Sequence, residues 1–276
     1  MCMIFAVTNQ KGGVGKTTTV LNLGVYLAVL KQKVLLIDID PQSNLTSGLG
    51  VKSQMQAEEG ITNNEPKTIY DVLVNKEPAE NAVIHTRIPG LDIIPCTIEL
   101  AGAEVELVGS LSRESILKRA IEKVSKNYDF VVIDCPPSLG LLTINGLVAA
   151  HNVLIPVQSE YYALEGLGQL INTIKLIKNN LNSTMDVGGV ILTMYDNRTN
   201  LSKDVAKETQ NFFGEKVFKS VVPRNIKLSE APSNGLSIYE YAPTSLGATA
   251  YEGLAKEVIK RFPKDGLVRP NLSKVG

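Results

Sequence analysis

The chain has 276 residues, 28 basic against 28 acidic side chains, and a formal net charge of zero at pH 7. With 44% hydrophobic and 20% charged residues it can bury a sizeable core, which excludes a disordered chain. No apolar run reaches the ~18 residues of a membrane span, and zero net charge gives no bulk attraction to nucleic acid, so any DNA binding must come from a local patch.

The apolar start Met1 to Val7 is short, lacks a basic leader and runs into a glycine-rich loop, so it does not read as a signal peptide. Ile4–Val7 reads as a strand, and Lys16 to Leu30 as a helix. Further buried strands are expected at Val34–Ile37, Leu91–Ile94, Phe130–Ile133, Val153–Val157 and Val187–Leu192, with a helix over Leu164–Ile177. Continuous rather than alternating apolar strands, separated by helices, predict an α/β fold: a doubly wound, mostly parallel sheet covered on both faces. Lys52–Lys67 has the composition of a mobile surface insertion. One domain is expected over 1–262, followed by a frayed tail at 263–276 that carries Pro263 and Pro270. Cys2, Cys96 and Cys135 are scattered and odd in number, which fits a reducing cytoplasm rather than a disulfide framework or thiolate metal cluster. His85 and His151 are too few and too far apart for a metal site.

The segment Gln10-Lys11-Gly12-Gly13-Val14-Gly15-Lys16-Thr17-Thr18 follows a strand and opens a helix, the context a phosphate loop requires. Its glycines allow a tight turn whose N–H groups face phosphate oxygens. Lys16 is placed to reach the β- and γ-phosphates of ATP, Thr17 to ligate Mg²⁺ and Thr18 to bond the α-phosphate. The first glycine of the usual pattern is replaced by Gln10, and a second lysine, Lys11, stands at the mouth. Lys11 is either a solvated surface lysine or a group that reaches the nucleotide of a facing subunit.

This loop resembles the lysine-signature phosphate loop of the ParA/MinD ATPases, the deviant Walker A, over a likeness that runs from about residue 3 to about residue 262. Within that superfamily the chain looks most like the ParA/Soj partition proteins. The resemblance implies an ATP-sandwich homodimer, non-specific binding of double-stranded DNA, a ParB/Spo0J-type partner that stimulates hydrolysis, and a cytoplasmic, nucleoid-associated life without a membrane anchor.

Asp38 and Asp40 end the second strand and Asp134 the one beginning at Phe130. Ligands of open α/β sheets bind beyond the carboxyl ends of strands, so these carboxylates are expected at the phosphate loop. From the residues alone, one of Asp38 and Asp40 could hold the metal shell and the other orient the attacking water, or the pair could cap the next turn. Four apolar residues followed by Asp134 match a Walker B strand, whose carboxylate holds Mg²⁺ through water. The resemblance makes Asp40 the hydrolysis residue, with Lys11 and Lys16 its catalytic companions. It leaves Asp38 to the metal's outer shell or to loop support, and makes Pro136-Pro137-Ser138 a switch sensing the γ-phosphate. It also places Pro223 and Asn225 near the adenine.

Arg198 and Lys203, after the sixth expected strand, and Arg224 and Lys227 could form one basic patch contacting DNA phosphates without reading bases. The start at the first strand predicts no N-terminal helix-turn-helix of the kind longer plasmid relatives carry. A membrane-positioning, MinD-like reading needs a C-terminal amphipathic helix, which Pro263 and Gly266 would break. A biosynthetic enzyme or iron–sulfur reductase on the same scaffold is a third reading, and the lack of paired cysteines opposes the latter.

Overall fold

Alternate residues of each central strand feed opposite core layers. Ile4, Ala6, Leu35, Ile37, Val131 and Ile133 face one layer; Phe5, Val7, Val34, Leu36, Phe130 and Val132 face the other. Period-2 geometry with both faces apolar forces helices onto both sides. The computed structural model describes residues 2–62, 65–160 and 165–263. Their strands are β1 Met3–Val7, β2 Val34–Asp38, β3 Ile84–His85, β4 Leu91–Ile94, β5 Phe130–Asp134, β6 Asn152–Gln158 and β7 Asp186–Thr193. They form one sheet in the order β3-β4-β2-β5-β1-β6-β7. Every pairing is parallel except that of β3 with β4.

The helices are α1 Lys16–Val29, α2 Asn44–Gly48, α3 Val51–Thr62, α4 Ile69–Leu73, α5 Leu100–Glu106, α6 Ile116–Ile121, α7 Leu141–Ala149, α8 Glu165–Asn180, α9 Asn200–Phe213, α10 Lys227–Ser233, α11 Ile238–Tyr241 and α12 Leu246–Arg261. Apolar residues of α4 to α9 join the first layer; those of α1, α2, α3 and α10 to α12 join the second. Helix α1 lies so close to β2 that a Cβ at Gly24 would come within 2.6 Å of a Leu36 methyl. That approach keeps the helix, and the loop before it, tight against the sheet.

The expected doubly wound sheet is present; one local expectation needs correction and one short strand was not anticipated. The polar stretch 52–67 opens as α3, with Val51 and Met55 buried one helical turn apart. The two-residue β3 is too short to carry a pattern. Residues 63–64 and the tail from 264 lie outside the described residues. Among the described residues, no helix is long and apolar enough to cross a membrane. His85 pairs with Asp92, and His151 Nδ1 accepts the Ile4 N–H, so both histidines have ordinary partners.

Candidate active site

The site is assembled by sheet register. Val7, Asp134 and Asp38 are level Cα partners across β1, β5 and β2. The chain leaving β1 becomes the phosphate loop, and the two carboxylates arrive beside it from the neighbouring strand ends. Gly15, with φ 86°, sits in the left-handed region and starts α1 without any side-chain cap, and the first turn holds no acidic residue. The helix therefore keeps its N-terminal N–H groups for an anion. A Cβ at Gly12 or Gly13 would meet no atom within 4 Å, so the loop borders open space.

Two side chains hold the loop, one adjacent to it and one far away in sequence. Asn9 Nδ2 donates to the Pro156 carbonyl at 2.7 Å, while Asn9 Oδ1 accepts the Lys11 N–H at 3.1 Å. Thr193 Oγ1, at the end of β7, donates to the Val14 carbonyl at 2.8 Å. Lys16 is buried, and its Nζ folds back to the Lys11 carbonyl at 3.2 Å. Burial pushes its pKa down, while Asp134 and Asp40 pull it back up.

Both Asp134 oxygens are buried and without a hydrogen-bond partner. Burial first, and then the charge of Asp38, raise its pKa well above the usual carboxylate range. The Thr17 hydroxyl and Lys16 oppose that rise without reversing it. A buried, unpartnered carboxylate beside Thr17 fits a bound cation that would supply the missing partner. Among the described residues no cage of three or more metal-ligating side chains forms. That suits Mg²⁺, which takes one or two protein ligands and completes its shell with water and phosphate.

Asp38 differs. Its Oδ2 accepts the Thr46 N–H at 2.9 Å and the Thr46 hydroxyl at 2.7 Å, and its Oδ1 accepts the Asp40 N–H at 3.2 Å. Burial pushes its pKa up to about 6 against these bonds. Of the two roles open to it, this bonding favours loop support. Asp40 is buried, with Oδ1 accepting the Gln42 N–H at 3.0 Å.

A family model describing an AAA domain matches residues 2–187. The chain is 54% identical over 258 residues to the sporulation initiation inhibitor protein Soj of Bacillus subtilis, covering 94% of this chain and 98% of that one. It is 46% identical over 260 residues to the chromosome partitioning protein ParA of Caulobacter vibrioides, covering 94% of each. The chain belongs to the Soj/ParA family of chromosome-partitioning ATPases. Among solved structures, this Soj/ParA chain resembles cobyrinic acid a,c-diamide synthase from Mycobacterium smegmatis with bound ADP and magnesium. Identity there is 36% and the TM-score 0.79, over 94% of this chain and 95% of that one.

Most of the remaining predicted residues of this Soj/ParA chain have local partners of their own. Pro223 bridges to Tyr195 just beyond β7, and Asn225 Oδ1 accepts the Lys227 N–H. Neither lines the cleft of about 370 Å³ beside the loop, whose walls include Thr17, Thr18, Leu21, Asn44, Pro232 and Ser233. Arg198 and Arg224 both act on Asp196. Three of the four predicted cations are engaged within the chain: Arg198 with Asp196, Arg224 with Glu160 at 2.7 Å and Lys227 with Glu230 at 2.8 Å. Lys203 on α9 is exposed and in no ion pair with the described residues. Sequence reading missed Asn9 and Thr193 as loop supports. Asn9 was detectable as a polar residue at a strand end, whereas nothing local marks Thr193.

Asp134 yields a stability prediction. Its folded pKa lies above the unfolded value of ~3.9, so the folded state holds the extra proton between the two. Stability therefore falls as pH rises through that interval. Asp134→Asn removes this titration. In nucleotide-free protein the variant should be more stable than wild type at pH 8 by about 1–3 kcal/mol, and by less at pH 5. Urea unfolding at both pH values measures the difference. A variant no more stable than wild type at pH 8 would show that Lys16 already neutralises the buried charge.

Proposed function

We propose that the chain is a magnesium-dependent ATPase that dimerises around ATP, binds duplex DNA without sequence preference and drives DNA segregation with a ParB/Spo0J-type partner. The observation that supports it most is the level arrangement of an uncapped phosphate loop and an unpartnered Asp134 at adjacent strand ends. The names of the relatives favour partition over a biosynthetic activity, since identity to Soj exceeds identity to the diamide synthase.

In this reading the loop N–H groups from Gly12 to Gly15 cradle the phosphates, Lys16 bonds the β- and γ-phosphates, and Thr18 bonds the α-phosphate. Thr17 and Asp134 hold the metal, directly or through water. Bound Mg²⁺ supplies neutralising charge to the phosphate oxygens. Lys11 reaches across to the partner subunit's nucleotide. Asp40 orients the attacking water; positioning rather than proton abstraction is the task of a carboxylate beside so much positive charge. Pro223 and Asn225 serve the adenine side. The protein acts in the cytoplasm, on the nucleoid.

Arg198, Lys203, Arg224 and Lys227 form the DNA patch. Their exposed intramolecular pairs are weak and exchangeable for phosphate contacts. One subunit's patch binds feebly, and an ATP dimer joins two and raises the effective concentration of the second contact. DNA binding should therefore require ATP and fall steeply with salt. Arg198→Glu places a second carboxylate beside Asp196 and should cost at least tenfold in DNA affinity while the ATP dimer persists. Mobility shifts with ATP, ADP and no nucleotide, run beside a sizing column, test this. Equal DNA binding in all three states would refute the switch.

A further inference from the structure

Thr46, in α2, belongs to none of the motifs above, yet its side chain joins three parts of the site. Its hydroxyl oxygen accepts the Cys96 N–H, just beyond β4, at 3.0 Å. The same hydroxyl donates to Asp38 Oδ2 at 2.7 Å, where the Thr46 N–H also donates at 2.9 Å. The other Asp38 oxygen accepts the Asp40 N–H at 3.2 Å. Cys96 Sγ lies 3.2 Å from both the Asp40 and the Thr97 carbonyls, which share its one S–H proton. The Asp40 N–H is thus held by a carboxylate bound to Thr46, while its C=O accepts the Ser43 N–H at 2.8 Å and also faces the Cys96 thiol. Asp38, Thr46, Cys96 and Asp40 are all buried, at 0%, 1%, 2% and 6% exposure.

The anchoring runs in one direction. Asp38 is the last residue of β2 and is fixed to Asp134 by sheet pairing. Asp40 lies beyond the strand, where no ladder hydrogen bond sets its position. The Ile39 N–H still donates to the Asp134 carbonyl at 3.1 Å, and the Asp38 carboxylate extends that hold to the Asp40 N–H. That carboxylate is a cross-strand neighbour of Asp134. Thr46 binds it from the opposite side with two donors on one oxygen, which leaves the second oxygen aimed at the Asp40 N–H. The one atom Thr46 Oγ1 both accepts from Cys96 and donates to Asp38, as a hydroxyl can; valine has the same shape and can do neither.

We infer that Thr46 is a positioning residue for ATP hydrolysis: through Asp38 it fixes the backbone of Asp40, and with it the carboxylate that orients water. This rests on the reading of Asp40 as the water-positioning group. A residue that serves only as a cap for α2 would change stability and leave the chemical step alone.

The test compares Thr46→Val, Thr46→Ser and Asp40→Ala in the full chain. Thr46→Val should lower kcat roughly ten- to hundredfold, as misplacement of a positioning group does, with KM for ATP within about twofold. In nucleotide-free protein it should also speed hydrogen exchange at the Asp40 amide, read by NMR. Thr46→Ser should restore both to within about threefold of wild type. Should the valine variant not fold, Thr46→Ala, which leaves room for water, takes its place. Wild-type kcat in Thr46→Val with a slowly exchanging Asp40 amide overturns the inference, as does a serine variant no better than valine. If Asp40→Ala itself turns over at the wild-type rate, the reading of Asp40 fails. If Asp40→Ala is inactive and Thr46→Val is fully active, the inference about Thr46 fails alone.

Discussion

Lys16→Ala should reduce ATP–Mg²⁺ affinity on the order of a hundred- to a few-thousandfold, since charge-assisted bonds worth about 3–5 kcal/mol in sum are lost. The ammonium is buried, and burial disfavours its charge; Asp134 and Asp40 hold that charge in place. Its bond to the Lys11 carbonyl keeps it folded over the loop, ready to be exchanged for phosphate oxygens. Removing it does more than delete donors. Asp134 loses its nearest compensating cation, so the site becomes net repulsive toward the anion it is shaped to hold. Isothermal titration with ATP–Mg²⁺ reads the loss, and circular dichroism checks that the variant is folded. Unchanged affinity would remove the phosphate-loop assignment and leave the open space at Gly12 and Gly13 without a ligand.

Features confined to one stretch of chain were legible in the sequence. The phosphate loop is nine consecutive residues between a strand and a helix, and its glycines, lysine and threonines are informative together. Buried strands were legible because parallel strands covered on both faces read as unbroken apolar runs. What stayed hidden depends on distant partners. Thr193 reaches Val14 across 179 positions, and Cys96 reaches Thr46 across 50. No spacing rule links such pairs; sheet topology alone brings them together. The pairing of Arg224 with Glu160, 64 positions away, is likewise invisible to a tally of cations. Helix α3 escaped because its apolar residues are few.

The three carboxylates are legible as a set, but their division of labour is not. Asp38 and Asp134 sit level on neighbouring strands, both fully buried, and differ only in what surrounds them. Asp38 accepts three hydrogen bonds and is occupied. Asp134 accepts none and is available. The fold therefore stores an unsatisfied buried acceptor where a cation is expected, a cost to the nucleotide-free protein that ligand binding relieves.

Asp40→Ala should retain ATP binding and lose turnover by roughly a hundredfold or more, so that an ATP-bound dimer accumulates. The substitution removes the carboxylate and its bond to the Gln42 N–H, while the Asp40 backbone keeps its partners at Asp38 and Cys96. The loop should therefore hold its course. Asp40 adds negative potential at Asp38 and Asp134, so deleting it lowers repulsion toward the phosphates. Ground-state affinity is then expected to stay level or tighten, while the attacking water loses its guide and the barrier rises. Loss of kcat with KM unchanged or lower is the signature of an interaction made in the transition state. Single-turnover hydrolysis, equilibrium binding of a non-hydrolysable ATP analogue and a sizing column in ATP separate these effects. Wild-type turnover in the variant would move the water-positioning role elsewhere. Asp38, already engaged by Thr46, would then have to be tested as Asp38→Asn, which keeps its size and removes its charge.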